Sequence, residues 1–77
     1  NGGSLLRKLS EAELLTLAEI LKMEAEGLAI ARATHMLIED SDLKKSNETG
    51  IMTAEARIKG MQRFIIENQV LDTVEVQ

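Results

Sequence analysis

The chain has no cysteine, no proline, no tryptophan and no tyrosine, and a single phenylalanine among its 77 residues. Without cysteine there is neither a disulfide nor a thiolate metal site, and the composition suits a reducing compartment such as the cytoplasm. Basic charge is also scarce: 9 Lys and Arg stand against 13 Asp and Glu, a net charge of -4. That balance argues against nucleic acid, whose partners carry a basic face. No apolar run approaches the roughly 20 residues of a membrane span, and no signal-peptide pattern opens the sequence. One histidine and no cysteine or tyrosine leave a thin catalytic inventory. No nucleophile–base arrangement and no glycine-rich phosphate loop can be traced, so the expectation is no enzyme and no cofactor. A chain this short buries only about 60% of its unfolded surface, which makes a lone core marginal and points to a partner.

What is present favours helix. Residues 1–9, beginning Asn1-Gly2-Gly3-Ser4, read as a flexible leader. Ser10 followed three residues later by Glu13 is a capping box, with Leu9 and Leu14 placed for a hydrophobic staple. From Glu11 to about Glu39 the sequence is built of Ala, Leu, Glu, Met and Lys, all strong helix formers. Leu14, Leu17, Leu21, Leu28, Ala31 and Ile38 form a seam with 3–4 spacing, and Ile20, Met23, Gly27, Ile30 and Leu37 run beside it. Such a face is wider than a two-stranded coiled-coil seam and suits a bundle. Glu39-Asp40-Ser41-Asp42 is an acidic break in which Asp40 or Ser41 caps a second helix, from about Asp42 to Asn68. Its stripe reads Leu43, Asn47, Ile51, Ala54, Ile58, Met61 and Ile65, with Met52 and Phe64 alongside. The valine-rich segment 70–77 changes period and reads as an extended arm or a frayed tail.

A short break between two long helices predicts an antiparallel hairpin over residues 10–69. Folding the chain about positions 40 and 41 pairs residues whose numbers sum to roughly 81. Gly27 then faces Ala54 and Gly50 faces Ala31, small on small, which is expected to permit close approach of the helices, while Gly60 faces Leu21 and offers it a hole. Leu14, Leu17, Leu21, Leu28, Ile51, Ile58, Met61 and Ile65 are the expected interface residues.

Three polar residues carry candidate chemistry. Glu24 sits mid-helix on the apolar seam, where a carboxylate is costly unless paired; the pairing sum supplies Arg57. Glu55 is the acid on the second helix that could join Glu24 in a carboxylate metal site. His35 lies about 16 Å from Glu24 along the helix axis, too far to share a metal within one chain. It is expected opposite Ser46 and Asn47, with Glu39 in reach. The four methionines, Met23, Met36, Met52 and Met61, read as core filler at helical spacing.

Several stretches together resemble a known family. They are Leu21-Lys22-Met23-Glu24-Ala25-Glu26-Gly27-Leu28, the break Glu39-Asp40-Ser41-Asp42-Leu43-Lys44-Lys45, Ala54-Glu55-Ala56-Arg57-Ile58, and Met61-Gln62-Arg63-Phe64-Ile65-Ile66. Over about Ser10 to Leu71 the chain resembles the ferritin-like helical hairpin, and most of all the small spore coat protein F group of endospore-forming bacteria. The resemblance implies an all-α hairpin that dimerises into a ferritin-like four-helix bundle. In metal-binding ferritin-like proteins a mid-helix glutamate and a Glu-x-x-His pair hold iron. Glu24 and Glu55 match two of these positions, and Ile58 stands where the histidine would be. The implied role is therefore a structural one, a homodimer associating with other coat or assembly proteins and deposited on the spore coat. A metal-binding bundle formed between subunits and a helical adaptor are the alternatives.

Overall fold

The computed structural model describes residues 8–76. Two helices, α1 (Glu11–His35) and α2 (Ser41–Val76), form an antiparallel hairpin, so the fold is all-α across the described residues. The expected leader lies outside the described residues up to position 7, as does position 77.

Local chemistry sets the helix starts. The Ser10 hydroxyl accepts from the Glu13 amide at 3.1 Å, and Glu13 Oε1 accepts from the Ser10 amide at 2.9 Å, which completes the capping box. At α2 the capping residue is Asp40, whose Oδ1 accepts from the Leu43 amide at 2.8 Å.

The ends depart from the sequence reading. Helix α1 stops at His35, not Glu39. Thr34 turns its hydroxyl onto the carbonyls of Ile30 and Ala31, and the Leu37 and Ile38 amides then bond the carbonyls of Thr34 and His35 in a tighter turn. The residues 36–40 are thereby released to make the connection. Helix α2 continues to Val76 without a break, where an extended or frayed segment was expected. Valine costs a helix only a few tenths of a kcal/mol relative to alanine, and extending an existing helix needs no new nucleus. At 1.5 Å per residue α2 is about 54 Å long, which accounts for the 56 Å long dimension of the molecule.

Cross-helix contacts fix the register. Glu24 meets Arg57, His35 meets Glu48, and the Asn47 amide donates to the Ala31 carbonyl at 3.0 Å. These pair sums of 78 to 83 agree with the sequence expectation. At the open end Asn68 Oδ1 accepts from the Leu9 amide at 2.7 Å and ties the approach to α1 onto α2.

The core is small. Among the described residues only Leu28 and Ala54 are buried apolar residues, each 8% exposed, and buried Asn68 joins them at 4%. The other seven expected interface residues, Leu14, Leu17, Leu21, Ile51, Ile58, Met61 and Ile65, are half-buried. Leucine and isoleucine on these seams therefore pack between α1 and α2 without being enclosed.

Candidate functional site

The second apolar stripe of α1 is left uncovered. Ile20, Met23 and Ile30 are exposed, with Met23 at 67%. Ile20 and Met23, with Gly27 of α1 and Gly50 and Ala54 of α2, line an open cleft of about 430 Å³ on one face of the hairpin. Ile20 also lines a second hollow of about 370 Å³, shared with Ala12, Thr16 and Phe64. The two hollows share Ile20, and most of their lining is apolar or small.

The packing expected of the glycines is absent. A Cβ added to Gly27, Gly50 or Gly60 would meet nothing within 4 Å, so none of them brings α1 and α2 closer together. All three keep ordinary negative backbone angles, so no turn requires them either. The methionines also differ from the core reading: Met23, Met36 and Met52 are exposed and only Met61 is half-buried. A hairpin has one seam, and residues outside its roughly 100° arc have nothing to pack on.

The candidate acids are each held by an arginine. Arg57 donates through Nε at 3.2 Å and Nη2 at 3.0 Å to Glu24 Oε1, the pairing that the sequence register predicts. Arg32 Nη2 donates to Glu55 Oε2. Glu24 and Glu55 therefore do not converge within one chain. His35 stands apart from both, with Nε2 3.6 Å from Glu48 Oε2 and Nδ1 3.4 Å from the Asn47 amide nitrogen. Its acidic neighbour is Glu48, not Glu39, because α1 ends at His35 and carries Glu39 into the connection. Among the described residues no group of three His, Asp or Glu side chains is placed to hold a metal ion.

Asn68 is the residue that the sequence reading passed over. It follows Met61 and Ile65 at 3–4 spacing, and an amide on an apolar seam is the signal that marks it.

Chemically, the cleft can bind an apolar surface, and the Glu24–Arg57 ion pair is part of its lining. Among the described residues no helix is long and apolar enough to cross a membrane. No protein-family model, no curated protein and no solved structure matches the chain.

Proposed function

We propose that this protein is a non-enzymatic assembly unit, a helical hairpin that pairs with a second copy to complete a four-helix bundle of the ferritin-like kind. The observation that carries the reading is the disproportion between its covered and uncovered apolar side chains. Leu28 and Ala54 are buried, whereas Ile20, Met23 and Ile30 stand in solvent on the same side of α1. Two such helices bury one seam and leave another open, and a second hairpin at about 20° closes it. The spore-coat setting is proposed on the sequence resemblance, which concerns the helix cores at Leu21–Leu28 and Ala54–Ile58.

The carboxylates support a structural role over a metal centre. Glu24 and Glu55 already have cationic partners, Arg57 and Arg32, and a metal would have to displace both. A helical adaptor is the second reading, favoured by an apolar tip at Met36, Leu37 and Leu43 that lies away from the cleft. Replacing these three with serine separates the two: unchanged self-association supports the assembly unit, and loss of it moves the contact to the tip. Sedimentation velocity across a concentration series is the direct test of the main reading. A dimer that dissociates together with loss of helical signal supports it, and a folded monomer at micromolar concentration refutes it.

A further inference from the structure

Peroxide chemistry has few targets in this chain. Cysteine, tryptophan and tyrosine are absent, so the four methionine sulfurs are the side-chain atoms that a hydroperoxide oxidises readily. Three of them stand in solvent: Met36 is 80% exposed, Met52 69% and Met23 67%, while Met61 is half-buried. Of the four, Met23 alone belongs to the uncovered stripe of α1 and to the lining of the cleft. Met36 caps the end of α1 and Met52 lies on α2, and neither lines the cleft or the hollow beside it.

Resting on the assembly reading, we infer that Met23 is a modification site whose oxidation to the sulfoxide holds the apolar face open and blocks pairing with a second copy. In the step, one oxygen atom passes from hydrogen peroxide to Sδ. The O–O bond breaks, an S–O bond forms and water leaves; sulfur loses two electrons and the peroxide gains them. The product carries a polar S=O acceptor where an apolar thioether stood.

Within one hairpin the change is mild, because Met23 is in solvent before and after it. Under a second copy the new oxygen is taken out of water beside Ile20 and Gly27, which offer it no side-chain donor. The donors in the cleft lining are already engaged: Arg57 serves Glu24, and the Asn47 amide serves the Ala31 carbonyl. A polar group buried without a partner is costly, so the covered state is disfavoured. Peroxide reaches the sulfur in the separated chain and not beneath a partner, so oxidation captures the open form. Methionine sulfoxide reductases return the thioether, which makes the block reversible.

The nearly equal exposures of Met23 and Met52 make them a matched pair for the test. The natural chain is treated with dilute hydrogen peroxide at concentrations where it is assembled and where it is separated, and peptide mass mapping follows each methionine. The inference expects Met23 to oxidise several-fold more slowly than Met52 in the assembled sample, and at the same rate on dilution. A lightly oxidised sample is then fractionated by size, and the dimer should be depleted of Met23 sulfoxide but not of Met36 or Met52 sulfoxide. Full oxidation should raise the dissociation constant roughly tenfold or more, and sulfoxide reductase should restore it. The Met23→Leu chain is compared with itself before and after a dose that oxidises Met36 and Met52, and its constant should move by no more than about twofold. If that chain does not associate, the fractionated natural chain decides alone. A dimer in which Met23 and Met52 oxidise alike, or in which Met23 sulfoxide is shared equally between dimer and monomer, overturns the inference and leaves the assembly reading standing. An untreated chain that is monomeric at every concentration defeats the assembly reading, and this inference with it.

Discussion

Glu24 is 28% exposed and Arg57 53% exposed, so their ion pair sits at the rim of the seam, where solvent screens it. An isolated pair of this kind contributes about 0.2–1 kcal/mol. Arg57→Met should lower stability by about that amount, and adding Glu24→Met should recover much of it, because the lone carboxylate is removed as well. Chemical denaturation of the two single variants and the double variant checks this, and additive losses would show that the two groups are not coupled. Asn68 has a more enclosed task. Asn68→Ala removes the acceptor of the Leu9 amide, and the expected cost is about 1–3 kcal/mol for a polar group left without its partner. Faster hydrogen exchange at the Leu9 amide, ahead of exchange in the middle of α1, is the accompanying local signature.

At the scale of the element, the caps hold the hairpin's turn. Asp40 satisfies the Leu43 amide at the start of α2, so Asp40→Ala should cost about 1 kcal/mol in thermal or denaturant unfolding. Asp40→Asn, which keeps the acceptor, should cost much less. The caps and the register were legible in the sequence because they depend on near neighbours: Ser10 with Glu13, Asp40 with Leu43, Glu24 with Arg57 through a short connection. The helix ends were less legible. Nothing in the Met36–Glu39 composition forbids helix, and α1 stops there because Thr34 and the following amides close a tight turn. Val70, Val74 and Val76 favour strands, but α2 arrives already formed and carries them along. Gly27 and Gly50 line the open cleft. They were misread for a related reason: their spacing was matched against the other helix of the same hairpin, which does not touch them.

For the whole molecule, folding and the proposed self-association draw on the same small core. Leu28 is one of two buried apolar residues among those described, and Leu28→Ala should lower stability by about 2–5 kcal/mol. In the proposed dimer, the same substitution should raise the dissociation constant as it lowers the melting temperature. Gly27→Leu separates the two effects. Its side chain has open space within one hairpin, so helical content should hold or rise, while a dimer closed over the cleft should be lost. The measurement that bears most directly on the central claim is sedimentation equilibrium of the unmodified chain from high nanomolar to high micromolar concentration, with circular dichroism on the same samples. The account predicts a dimer whose dissociation on dilution takes the helical signal with it. A fully helical monomer across that range would contradict it.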